Sequence, residues 1–246
     1  MAENANKWPE FSIFNQEGRR FAQNQYGLID SDGQATYFER FSVVIHDTTM
    51  DYSKYPFDSQ EFSIVIDSLF PGESHVYTPN DTFNEVGGEL GEEEWIITSF
   101  STEVSATPDF GSRFSFIFPA TRHLDYYILR IFIPLFLILL VSWGTFFLRD
   151  YGLRISLAGA NLLLFVAFNF TLGEDLPRLG YVTFLDAILM MMFLMTSLVI
   201  FYNFILRAWE SGGKGERVLF VDKFAVYAYL ILYCIAILVI VLVYLV

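Results

Sequence analysis

Hydrophobic and polar positions change their rhythm near residue 127. Beyond it come four uncharged, mostly apolar runs: Ile131–Leu148, Ile155–Gly173, Ala187–Leu206 and Phe224–Val246, of 18, 19, 20 and 23 residues. A helix rises about 1.5 Å per residue, so each run is long enough to cross a hydrocarbon core of about 30 Å. The pattern predicts four membrane-spanning helices, at about 128–148, 153–174, 181–207 and 219–246. Before them the apolar positions come in short groups. Phe38–Ile45, Phe62–Ile66, Trp95–Val104 and Arg113–Ile117 read as strands, and Arg113–Ile117 alternates polar and aromatic residues. Asp32-Gly33, Pro71-Gly72, Gly87-Gly88 and Thr107–Gly111 are turn signals between them. Many short strands with spaced turns predict an antiparallel β-sandwich. The expected fold class is therefore mixed β and α: a sandwich over 1–127, then a four-helix transmembrane bundle over 128–246.

The second apolar run differs from the others. It keeps Asn161, Asn169, Gly159 and Gly173 among small residues. Polar groups at membrane depth face protein or water, because lipid offers them no hydrogen bonds. Steps of four and three from Ser156 give Ala160, Leu163, Ala167, Phe170 and Glu174, all on one helical face. A stripe running from a hydroxyl through apolar rings to a carboxylate suits a pore lining with a dewetting gate. It suits a packing seam between helices equally well, and periodicity alone does not separate the two.

Charge sharpens the division. Residues 1–127 carry 21 acids and 7 bases, a net of −14; residues 128–246 carry 7 acids and 8 bases, a net of +1. So acidic a first half is no nucleic-acid surface, since phosphates need Lys and Arg. It attracts small cations instead. Arg149, Asp150 and Arg154 mark the link between spans one and two, and Arg207, Lys214, Arg217 and Lys223 flank the link between three and four. The link between two and three has Arg178 alone against Glu174 and Asp175. The positive-inside rule then puts both termini outside, and the membrane is expected to be a cell (inner) membrane. Met1–Lys7 is polar, and no signal peptide is read there.

The lone Cys234 excludes an intrachain disulfide and a cysteine zinc site, and it reads as a small packing residue. His46, His75 and His123 are scattered without metal-ligand spacing, and Glu92-Glu93-Glu94 reads as a solvated loop. No nucleophile–base pair or metal constellation is apparent, so no enzyme activity and no cofactor are expected. Four spans without a repeat do not fit alternating-access transport.

Specific motifs then carry a resemblance. Tyr55-Pro56-Phe57-Asp58-Ser59-Gln60, just after Met50-Asp51, resembles the signature loop of the pentameric ligand-gated ion channels, the Cys-loop receptor family. Thr48 and Phe62 stand where animal members have two cysteines, as in the prokaryotic branch. Arg122, Tyr126-Tyr127 and Pro134 are similar to the family's entry into its first span. Ala167-Phe168-Asn169, Leu176-Pro177-Arg178 and Tyr181 resemble the end of the second span and its linker, and Trp8-Pro9 through Asn15 resembles the loop A strand. The resemblance implies a homopentamer in the lipid bilayer, gated by a small-molecule agonist or protons, with monovalent cations permeating. Ser156, Ala160, Leu163, Ala167, Phe170 and Glu174 would line the pore, with Leu163 as the mid-pore ring. Tyr55, Pro56, Phe57, Asp58, Arg122, Pro177, Arg178 and Tyr181 would couple the sandwich to the pore, through a pair such as Arg122–Asp58. Leu69, Phe70, Phe110 and Phe114 would mark the ligand site as part of an aromatic cage.

Three departures qualify those expectations. About seven residues precede Trp8, so the sandwich is expected to be N-terminally truncated or reduced. Gly152-Leu153 stands where cation-selective members carry a glutamate, leaving Asp150, Glu174 and Asp175 as selectivity candidates. The loop from Ser105 to Ser112 is short. The competing expectation is a membrane-anchored binding or assembly module that does not conduct.

Overall fold

A computed structural model describes residues 10–47, 49–72, 75–80, 94–97, 99–107, 111–175, 179–213 and 215–246. The chain divides into two units, Met1–Met50 with Ser59–Arg122, and Asp51–Asp58 with His123–Val246.

The first unit is built of antiparallel strands. β1 (Phe11–Ile13), β4 (Ser59–Ser68), β7 (Gly111–Arg122) and β5 (Trp95–Ile97) form one sheet in that order, and β6 (Ser101–Thr107) also pairs with β7. β2 (Gln16–Ile29) and β3 (Ala35–Ile45) form a separate two-stranded sheet. Their turn is fixed by local chemistry. Asp30 Oδ1 accepts from the amides of Asp32 and Gln34 at 3.0 and 2.8 Å, and Gly33 takes φ +81°, which favours glycine. The predicted strand Trp95–Val104 is two strands on one edge of β7. Ile97 faces Ala120 while Ser101 faces Ile117, so the register slips by one residue between them. β2 was not predicted as an element, because its polar and apolar residues do not alternate.

Among the described residues, the second unit holds four helices of membrane-spanning length and composition: α1 (Leu124–Phe147), α2 (Tyr151–Asp175), α3 (Phe184–Ser211) and α4 (Gly215–Tyr244). α1 widens to a π-turn over Ile128–Phe132, just before Pro134. Proline has no N–H, so the carbonyl four residues before it loses its usual donor and the helix loosens there. α2 and α3 outrun their uncharged stretches at both ends, and α1 and α4 at their N-terminal ends. The core between them includes Ile131, Leu135, Phe165, Leu185, Met192 and Tyr233.

Candidate functional site

α2 has two chemically distinct faces. Arg154, Ala158, Asn161, Phe165 and Leu172 are buried, Ala158 at 0% and Phe165 at 1% exposure. Ser156, Ala160, Leu163, Ala167 and Phe170 are exposed, Leu163 at 71% and Phe170 at 76%. At 3.6 residues per turn the buried set lies within about 40° of Arg154, and the exposed set centres roughly 200° away. The Ser156–Phe170 stripe is therefore not used for packing within the subunit. α2 continues helically through Glu174 and Asp175, and its register returns Glu174 to the stripe. The side chains of Glu174 and Asp175 lie outside the described residues.

Polar groups on the buried face are engaged. The Asn161 amide donates from Nδ2 to the Ile138 carbonyl at 3.0 Å and to Ser142 Oγ at 2.8 Å, tying α2 to α1. Asn161 Oδ1 accepts no hydrogen bond among the described residues. Asp150 is exposed, and its Oδ1 accepts from the amides of Gly152 at 2.7 Å and Leu153 at 3.4 Å. It acts as the N-cap of α2, satisfying donors that a helix start leaves free.

The loop Asp51–Asp58 sits in the same unit as the helices. Its backbone caps α3. The Ser53 carbonyl accepts from Phe184 N–H at 2.8 Å, and the Tyr55 carbonyl accepts from Leu185 N–H at 3.3 Å. Asp186 N–H donates to Thr183 Oγ1 at 3.1 Å, and the Asp186 carboxylate returns the contact to Thr183. The first three amides of α3 are thus all satisfied, two of them by the loop. Tyr181 joins in, its hydroxyl accepting from Tyr52 N–H at 2.9 Å. Tyr55 and Pro56 are buried, and the peptide between them is cis. Tyr55 meets Tyr127 edge-on at 5.5 Å; Phe57 meets Phe184 at 5.5 Å and Phe132 at 5.9 Å. Asp58 ends the loop and is buried. Pro177 and Arg178 lie outside the described residues.

In the first unit, Arg122 forms an ion pair with Glu94, and its guanidinium lies over the Trp95 ring at 4.1 Å. Leu69 and Phe70 follow β4 directly, and the Phe70 ring lies tilted against His75, with centroids 4.5 Å apart. Phe114 faces Ile66 across β4 and β7 and meets Tyr77 edge-on at 6.5 Å. Beside them Arg113 holds Asp67 with two bonds of 2.7 and 2.8 Å. Those bonds push the Arg113 guanidinium further up, and burial pushes the Tyr77 phenol up. The arrangement thus gathers Phe70, His75, Tyr77 and Phe114 near one end of β4 and β7. Phe110, together with Trp8-Pro9, Thr48, Gly87-Gly88 and Glu92-Glu93, lies outside the described residues.

Sequence reasoning missed four participants. Asp222 pairs with Arg154, and Glu94 pairs with Arg122. Ser142 holds Asn161, and His75 meets the Phe70 ring. Only Ser142 carried a legible signal, as a hydroxyl in an apolar run.

No family model matches the chain. Relatives do. A proton-gated ion channel of Gloeobacter violaceus is 29% identical over 193 residues, 76% of this chain and 53% of that protein. A gamma-aminobutyric acid receptor subunit beta of Lymnaea stagnalis is 28% identical over 186 residues, 70% of this chain and 36% of that protein. A pH-sensitive chloride channel 2 of Anopheles gambiae is 26% identical over 170 residues, 63% of this chain and 27% of that protein. The chain spans about half or less of the length of these relatives.

Proposed function

We propose that this chain, which belongs to the Cys-loop receptor family of pentameric ligand-gated ion channels, assembles as a homopentamer around a pore lined by α2. It is a multi-pass membrane protein. The observation that carries the pore reading is the division of α2: an exposed stripe from Ser156 to Phe170 opposite a face that packs within the subunit. Five copies of Leu163 around an axis repel water from a narrow lumen, and an ion cannot pass without losing hydration. A small tilt or rotation of α2 widens that ring and rewets it. Glu174 and Asp175 concentrate cations at the mouth within a Debye length of about 8 Å. We assign the pore to monovalent cations on those carboxylates and on the net −14 of the first 127 residues.

Gating passes through the loop Asp51–Asp58. Its carbonyls cap α3, so a displacement of Tyr55 to Asp58 moves α3 or breaks the hydrogen bond from Leu185 N–H to the Tyr55 carbonyl. Arg122, Pro177, Arg178 and Tyr181 complete the coupling set. The agonist is a small molecule or protons, received near Leu69, Phe70, Phe110 and Phe114. The first 127 residues lie outside an inner membrane, as does Val246, by the distribution of Lys and Arg. The relative named as a pH-sensitive chloride channel favours a second reading, in which the same pore passes anions. The test is Leu163→Ser in a bilayer recording. Leak current or higher agonist sensitivity supports the gate; unchanged current, with an off-stripe substitution opening the pore, overturns it.

A further inference from the structure

Arg154 lies in the first turn of α2 and is buried, at 3% exposure. Its guanidinium makes four hydrogen bonds. Two go to Asp222 of α4, Nη1 to Oδ1 at 2.7 Å and Nη2 to Oδ2 at 2.8 Å. The others go to the end of α1 and the residue after it, Nη2 to the Phe146 carbonyl at 2.8 Å and Nε to the Leu148 carbonyl at 2.6 Å. Tyr202 of α3 donates its hydroxyl to Asp222 Oδ1 at 3.3 Å, and Arg154 lies over the Tyr151 ring at 4.8 Å. One side chain thus joins α2, α4 and the end of α1 through a planar fork that no other residue type reproduces.

The rest of the buried face cannot fix rotation as sharply. Ala158, Phe165 and Leu172 pack through non-directional contacts, and Asn161 reaches α1 alone. Turning α2 about its axis pulls Arg154 off Asp222 and leaves a buried charge unpaired, which is strongly unfavourable. The stripe stands roughly 200° from Arg154 on the same helix, so the bridge and the stripe are set together.

We infer that the Arg154–Asp222 bridge is a positioning device that fixes the rotation of α2, holding Ser156 to Phe170 away from the subunit's own core and keeping the Arg154 charge off that stripe. The inference extends the pore reading, but its readout needs no current. In Cys234→Ala background, single cysteines at Ser156 and Ala158 are placed in the full chain in lipid nanodiscs and labelled with a charged maleimide. With the bridge intact, Ser156→Cys labels and Ala158→Cys does not. Asp222→Asn lowers the ratio of the two rates about tenfold, the change produced by roughly 1.4 kcal/mol in rotational preference. Asp222→Glu keeps the charge pair and restores most of the ratio. If Asp222→Asn fails to fold, Arg154→Lys keeps the charge, loses the fork and lowers the ratio in its place. An unchanged ratio in whichever of these two variants folds overturns the inference, as does a failure of Asp222→Glu to rescue Asp222→Asn. Silence of the unmodified chain in a bilayer, with the labelling pattern intact, counts against the pore reading alone.

Discussion

Two positions on α2, two residues apart, are expected to respond in opposite ways. Phe165 is 1% exposed and meets the Phe193 ring of α3 at 6.3 Å. Leu163 is 71% exposed. Truncating a buried Phe to Ala costs about 3–5 kcal/mol in a water-soluble core. Between helices in lipid the transfer part largely falls away, because acyl chains are as apolar as the core, and lost packing remains. We expect Phe165→Ala to cost about 2–3 kcal/mol of subunit stability. Leu163→Ser removes apolar surface that the subunit does not bury, and should stay within about 0.5 kcal/mol. The assay is tryptophan fluorescence during titration of purified protein with a denaturing detergent. Equal costs at the two positions, or a larger cost at Leu163, would refute the division of α2 into a packing face and a free stripe.

Other expectations follow from single features. Gly111 sits at φ +74°, and a Cβ there would collide with the Gly72 amide nitrogen, so Gly111→Ala should destabilise the first unit by more than about 1 kcal/mol in a thermal melt. Burial pushes the Asp47 carboxyl up, but hydrogen bonds from Thr49 and Ser63 outweigh it and hold it below the usual range. Its stabilising effect is complete above the unfolded Asp value of about 3.9 and fades as pH falls through the lower folded value. Asp47→Asn should flatten acid unfolding in that window, and an unaltered acid profile would contradict the assignment. Neutralising Glu174 and Asp175 together should lower cation conductance more at low salt than at high salt, since screening weakens their field. Equal losses at both ionic strengths would remove that electrostatic role.

What the sequence revealed depended on how local the physics was. The four spans rest on runs of about 20 apolar residues, a signal carried by neighbours in the chain. The Ser156–Phe170 stripe was drawn from helical periodicity, and its separation from the packing face needed the partner helices. Phe165 and Leu163 are both apolar, and only the burial of one against the neighbouring helices, α3 among them, tells them apart. The Arg154–Asp222 bridge joins residues 68 apart, and no local pattern links them. Arg154 looked like an ordinary flanking charge because an unpaired arginine at that depth is costly and its partner was invisible. Glu94 was hidden for the opposite reason: it ends an acidic run that reads as solvated, yet it forms an ion pair with Arg122. The loop at Tyr55-Pro56 was legible as a motif. Its capping of α3 was not, since backbone carbonyls carry no sequence signature.

The central claim is that the exposed stripe of α2 lines a cation pore. The most direct measurement is a planar-bilayer recording of the purified chain in asymmetric KCl, stepping pH and then adding gamma-aminobutyric acid and other small primary amines. The account predicts discrete currents that reverse near the potassium equilibrium potential. Reversal near the chloride potential would contradict the cation assignment, and silence from a folded pentamer under every condition would contradict the pore itself.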